Sequence, residues 1–285
     1  MHSFDYLEPK TVADAVRFVS DYGSRCRVLA GGTDLLLQME AGRHRPEAVV
    51  YVGRIPELTE IGFSESGGLR VGASVPLRKV ENHPEVVARY PGLARGCREV
   101  GSVQIRNLGT LVGNICNASP SADTSPALLA YDASVEIVGP GGAGRTQPLD
   151  EFWVRPGKTS LQPGEFVTAV LLPTPAADTR TFYRKLAVRK AMDLAMVGIA
   201  VTLRPEGTGA RDVRIALGAV APVCLRAREA EAAVERDGAV AVDEASRLAE
   251  AACSPISDQR ASAAYRREMV RVLTARALRQ LLGVA

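Results

Sequence analysis

Near the start of the chain, residues 26–30 form a short, largely apolar stretch that runs into Gly31, Gly32, Thr33 and Asp34 and then into the apolar residues 35–39. That order reads as a strand, a glycine turn and the entrance of a helix. A second apolar stretch, residues 48–52, follows a polar link containing Pro46. With a helix interposed, the two strands are expected to be parallel. Upstream, residues 4–7 are extended and a helix is expected from about Thr11. Val12, Ala15, Val16 and Val19 recur at helical spacing, and Thr11 with Asp14 makes a capping pair. A βαβ-type unit this small cannot bury a core alone, so the rest of the chain must supply its other wall.

The remainder of the 285 residues changes character twice. Between residues 57 and 176, short strands (69–73, 134–138 and 165–172) alternate with helices, one of them expected over residues 84–99, and Gly139 to Gly144 marks a turn. From residue 177 onward, residues 195–204 and 211–219 flank a Pro-Glu-Gly-Thr-Gly turn, a hairpin signal. Three helices, over residues 226–236, 242–252 and 261–282, then finish the chain. The fold class is α+β. Residues 1–176 are expected to form one domain with subdomains of about 1–56 and 57–176, and residues 177–285 a second, made of a small antiparallel sheet and a helix bundle.

Charge and cysteine usage exclude several functions. The formal net charge is only +3 with 24% charged residues interleaved in sign, unlike the basic footprint of a nucleic-acid binder. Apolar runs fall short of the roughly 20 residues of a bilayer span. The N-terminus has no basic flank and apolar stretch of a secretory signal, so a cytoplasmic location is expected. The five cysteines are spread over the chain with no C-x-x-C pair, and the three histidines are scattered. Neither a disulfide framework nor a metal or iron–sulfur centre is expected within the chain.

Two glycine-bearing stretches carry the chemistry. In the first, Ala30-Gly31-Gly32-Thr33-Asp34-Leu35, backbone N–H groups at a strand end can converge on an anion that the following helix also favours. The same residues are compatible with a plain tight turn. No G-x-x-x-x-G-K-[ST] cradle is present, and the G-x-G-x-x-G spacing of Gly139 to Gly144 falls in a turn between extended segments, not where a strand enters a helix. The second stretch, residues 104–123, is a long loop in which Gly109 and Gly113 expose backbone. Thr110, Asn114, Ser119 and Asp123 there supply donors and acceptors. Ser121 or Asp123 can equally cap the helix that follows, and Asn114 and Asn117 can equally satisfy their own turns.

These residues resemble the FAD-binding medium subunits of the xanthine dehydrogenase and carbon monoxide dehydrogenase family of molybdenum hydroxylases. The resemblance spans nearly the whole chain. It rests on the Ala30-to-Leu35 stretch, the Gln104-Ile105-Arg106 to Asp123 block, the Pro163-Gly164-Glu165 turn, and Tyr183-Arg184-Lys185-Leu186 leading to Asp193. It implies that Ala30, Gly31, Gly32, Thr33 and Asp34 wrap the FAD diphosphate through backbone N–H groups, with Val28, Leu29 and Leu35 lining the loop. It further implies that Thr110, Gly113, Asn114, Ser119 and Asp123 lie at the cofactor, that Lys185 contacts it, and that Val167 sits near the flavin or adenine. On the residues alone, Lys185 reads as a solvated lysine on a strand.

The chain departs from the family pattern at two places. Val112-Gly113 stands where two adjacent glycines are usual, and Leu194 stands where some carbon monoxide dehydrogenase relatives have a tyrosine. The resemblance implies a subunit that takes electrons from [2Fe–2S] clusters of a small partner and passes them to an external acceptor. A molybdopterin centre in a large partner would oxidise the substrate, and the whole would form a dimer of heterotrimers. No catalytic acid or base is assigned to this chain. Exposed apolar side chains are expected to be partner contacts. A stand-alone flavin-dependent oxidoreductase and a non-redox nucleotide-binding module are the alternatives.

Overall fold

The structure is a computed structural model that describes residues 2–284. It opens with β1 (Asp5–Leu7), α1 (Val12–Tyr22), β2 (Cys26–Leu29), α2 (Leu35–Glu40) and β3 (Ala48–Tyr51). The three strands form a parallel sheet in the order β1-β3-β2. Thr11 caps α1 as expected, its Oγ1 accepting from Asp14 N at 3.1 Å. Ala15, Val16 and Val19 on the inner face of α1 are buried, so the periodicity legible in the sequence is the face that packs on the sheet.

The next region runs β4 (Ile61–Ser64), β5 (Gly68–Gly72), α3 (Leu77–Asn82), α4 (Pro84–Arg89), α5 (Pro91–Arg98), α6 (Val103–Leu108), α7 (Leu111–Cys116) and α8 (Thr124–Ala130). It continues with β6 (Ser134–Val138), β7 (Gly144–Pro148), α9 (Leu149–Phe152), β8 (Trp153–Arg155), β9 (Lys158–Thr159) and β10 (Phe166–Leu172). An antiparallel sheet of order β4-β5-β10-β6-β7 places the most apolar strand, β10, at its centre. The single helix expected over residues 84–99 is two helices. Proline disfavours helical backbone in the residue before it, and Tyr90, just ahead of Pro91, sits at φ −125°, ψ 52°. The apolar spacing carries on across this break.

The chain ends with β11 (Arg180–Leu186), β12 (Val197–Glu206), β13 (Gly209–Gly218), β14 (Leu225–Arg226), α10 (Arg228–Asp237), α11 (Val242–Ala251) and α12 (Ala263–Leu282). Period-two alternation explains how this antiparallel sheet packs on both faces. Val197, Ile199, Val201 and Leu203 belong to a core shared with the three helices, whereas Ala200 and Ala216 belong to the core of the preceding region. The second face is made of small residues so that α8 can approach. A Cβ on Gly218 would lie 2.8 Å from Pro126 Cγ, and Thr202 Oγ1 donates to Ala130 O at 2.7 Å. The helix expected from residue 226 starts two residues later, because Leu225 and Arg226 pair with β13 as an edge strand. Among the described residues no helix is long and apolar enough to cross a membrane.

Candidate functional site

The first glycine stretch is a backbone cradle. Helix α2 starts with Leu36 N donating to Gly32 O and Gln38 N to Asp34 O, at 3.2 and 3.0 Å. The N–H groups of Gly31, Gly32, Thr33, Asp34 and Leu35 find no acceptor among the described residues. Gly32 holds a left-handed φ of +73°, a conformation that costs glycine little. Consecutive amides left without protein partners at a helix entrance can converge on an anion.

The second stretch closes onto this cradle. A Cβ on Gly31 would lie 2.1 Å from Leu108 O and 2.8 Å from Gly109 Cα, and a Cβ on Gly109 would lie 3.1 Å from Thr33 Oγ1. Gln38 Nε2 donates to Asn117 Oδ1 at 3.0 Å. Two stretches some eighty residues apart are therefore one site, fitted backbone to backbone where a side chain would keep them apart. The long loop expected over residues 104–123 is instead mostly helical. Ser102 Oγ accepts from Ile105 N to cap α6, and Thr110 Oγ1 accepts from Gly113 N at 2.9 Å to cap α7. Leu77 N donates to Gly109 O and Leu111 N to Val75 O, which ties the junction between α6 and α7 to the segment leaving β5. Thr110→Ala is expected to cost about 1 kcal/mol by loss of the cap, measurable as a lowered unfolding midpoint in urea.

From α7 a hydrogen-bonded chain leads to the C-terminal sheet. Asn114 Oδ1 accepts from Thr124 Oγ1 at 2.7 Å. Asp123 occupies the N-cap position of α8, yet its side chain makes no capping bond, and neither does Ser121. The Asp123 carboxylate instead meets Lys185 Nζ at 2.8 Å, and Nζ also donates to Glu99 O at 3.2 Å. The Lys185 side chain is 5% exposed and that of Asp123 10%, so the solvated-lysine reading of Lys185 is wrong. Burial pushes the Asp123 carboxyl up to about 6, against the pull of Lys185 in the other direction. Its Oδ1 is buried without a partner, an acceptor still available to a ligand.

Tyr183 OH donates to Asp123 O at 2.9 Å, and a Cβ on Gly96 would lie 2.9 Å from that same oxygen. Gln38, Gly96 and Thr124 thus support the site without any local signal in the sequence. Val28 and Leu29 lie in β2 opposite Val50 and Tyr51. Leu29 and Leu36 flank Gly32, their Cδ1 atoms 3.2 and 3.0 Å from where its Cβ would be. Ser119 Oγ accepts from Ser121 N at 3.3 Å. Val167 is buried in β10 opposite Ile137, within the hydrophobic core.

A separate cavity of about 550 Å³ lies between the two domains, lined by Arg214, Arg226, Arg228, Asp132 and Asp150 among others. Its arginines are each paired with a carboxylate. Arg214 and Arg226 both hold Asp132, and Arg228 Nη2 reaches Asp150 Oδ2 at 2.6 Å, so this groove fastens the domains and leaves these arginines already engaged.

Comparison with known proteins covers nearly the whole chain. Residues 2–175 match the family described as FAD binding domain in molybdopterin dehydrogenase, and residues 182–281 match the carbon monoxide dehydrogenase flavoprotein C-terminal domain. The chain belongs to this FAD-binding, medium-subunit family. Among its relatives, the carbon monoxide dehydrogenase medium chain of Hydrogenophaga pseudoflava is 34% identical over 96% of this chain and 96% of that one. The xanthine dehydrogenase FAD-binding subunit of Escherichia coli O157:H7 is 30% identical over 98% and 96%. A solved carbon monoxide dehydrogenase from Hydrogenophaga pseudoflava, lacking the Mo-pyranopterin moiety of the molybdenum cofactor, superposes with a TM-score of 0.92 at 36% identity, over 96% of both chains. The fold and domain types expected from the medium-subunit resemblance are those found.

Proposed function

We propose that this chain is the flavin subunit of a molybdenum-containing dehydrogenase and holds one FAD where the Ala30-to-Leu35 cradle meets the α6–α7 junction. The observation that carries this reading is the seating of Gly31 on Leu108 and Gly109, which brings five unpaired amides together with the second stretch. A diphosphate satisfies that cradle, being a compact double anion that takes many N–H donors at once. The residues present fit the cofactor, since the amides can take an anion and the buried Asp123 Oδ1 has no donor of its own and can accept from a hydroxyl or ring N–H. Bound FAD supplies the conversion between one-electron and two-electron transfer.

The chain's own residues then do three things. Gly31 to Leu35 hold the diphosphate. Thr110, Gly113, Asn114 and Ser119 form the opposite wall, with Asn114 oriented by Thr124. Asp123 and Lys185 present a buried carboxylate and cation at its far end, where Lys185 places positive charge close to the cofactor. No group in this set needs to move a proton.

In the complete enzyme a small [2Fe–2S] subunit delivers electrons, and a large molybdopterin subunit oxidises the substrate. The assembly is a dimer of such heterotrimers in the cytoplasm. Exposed Leu36 and Leu37 on α2, Leu108 on α6, and Val188 and Met192 after β11 are apolar surface for these partners to cover. Purification from native cells, with cofactor and metal analysis, tests the assignment. Co-purification with two further polypeptides, molybdenum and iron is expected. A yellow monomer that oxidises a substrate unaided would establish a stand-alone oxidoreductase instead, and a colourless chain retaining another nucleotide a non-redox module.

A further inference from the structure

Helix α6 supplies the Leu108 carbonyl on which Gly31 rests, yet it has almost nothing apolar to hold it in place. Of its six residues only Arg106 is buried, whereas Val103, Ile105 and Leu108 are exposed, Leu108 to 62%. A helix this short does not form or stay put without tertiary anchoring. Here the anchor is ionic. Arg106, 6% exposed, points at Glu81 of α3, which is 0% exposed, with Nε 3.3 Å from Oε1 and 3.2 Å from Oε2. Arg106 Nη1 also donates to Val100 O at 3.0 Å, and Arg78 Nη1 donates to Glu81 Oε1 at 2.6 Å from the solvent side.

The same two helices are joined a second time by the bond from Leu77 N, at the head of α3, to Gly109 O at 2.8 Å. We propose that Glu81 and Arg106 are positioning residues for the cofactor, a buried ion pair that fixes α6 against α3 so that Leu108 and Gly109 seat on Gly31. The role rests on the FAD reading above. A buried ion pair is a poor source of net stability compared with apolar residues of similar volume, and its recognised use is to specify one arrangement. Through Gly31 that arrangement sets the direction of the five unpaired amides.

The test is titration of the full-length apo chain with FAD, followed by flavin fluorescence, alongside thermal unfolding. Arg106→Met alone leaves the buried Glu81 only the half-exposed Arg78 and Arg98, at 2.6 and 4.0 Å, and is expected to lower both the melting temperature and affinity. Glu81→Met combined with Arg106→Met removes both charges and is expected to recover the melting temperature while FAD still binds about tenfold or more weakly. Arg106→Lys keeps the charge but not the planar fork, so a fold close to wild type with weakened FAD binding and an altered circular dichroism of the bound flavin is expected. Wild-type affinity and flavin dichroism in Arg106→Lys, or in the doubly apolar variant, would overturn the positioning role and leave the pair a matter of stability. A wild-type chain that never binds FAD would overturn the cofactor reading itself, which is a different result.

Discussion

Gly31→Ala is expected to yield a folded chain that no longer retains FAD. The added methyl would stand 2.1 Å from Leu108 O and 2.7 Å from its carbonyl carbon, and these are backbone atoms that no rotamer change can move. Either the cradle or the α6–α7 junction must retreat by about an ångström, a displacement of the kind that costs about a hundredfold where geometry is exacting. Overpacking should also remove about 1–3 kcal/mol of stability. Gly62→Ala is the matched control, since a Cβ there meets nothing within 4 Å. Equilibrium dialysis with FAD reads the difference, and equal retention by the two variants would mean that the contact at Gly31 does not shape the site.

Lys185→Met should have the second large effect, and its size should depend on pH. Lys185 and Asp123 form a buried pair, and removing one partner of such a pair costs about 3–5 kcal/mol because the other charge is stranded. The Asp123 carboxyl of the folded protein titrates at about 6, above the ordinary value near 4 of an unfolded chain. A raised carboxyl contributes stability that is fully present below the unfolded value and is lost as pH rises through the folded one, because the folded state holds the proton more tightly. Without the lysine the carboxyl is pushed up further, so the variant keeps losing stability above pH 6 where wild type has levelled off. The gap between the two should therefore be small at pH 5 and widen towards pH 8 in urea titrations. A gap that is constant across this range would show that Asp123 is not the group responding. The same variant should bind FAD more weakly, or hold it at a lower midpoint potential.

The outline of the fold is legible wherever neighbours along the chain decide the structure. Thr11 and Asp14 cap α1 because the signal is three residues long. The strand, glycine turn and helix at residues 26–40 read correctly because an apolar strand, a turn residue and an apolar helix face are all local patterns. Inside residues 104–123 the small polar residues look like loop, although Ser102 and Thr110 are ordinary helix caps whose partners lie three residues on. Proline at position 91 breaks a helix whose apolar spacing continues on both sides.

Long-range placement is what local patterns do not carry. Nothing near Lys185 announces that its amine is buried against Asp123, sixty-two residues earlier. Nothing near Arg106 points to Glu81, twenty-five residues away. Nor does the sequence around Gly31 reveal that its missing side chain is required by Leu108. The resemblance to a family supplied the candidate positions, and the packing brings Gly31 onto Leu108 and Asp123 onto Lys185.

The most direct measurement is titration of the apo chain with FAD, FMN and riboflavin under one set of conditions. One FAD should bind per chain, far more tightly than FMN, which has a single phosphate, and more tightly still than riboflavin, which has none, if the cradle formed by Gly31 to Leu35 holds the diphosphate as proposed. Failure to bind FAD, or affinity for FMN equal to that for FAD, would contradict the assignment.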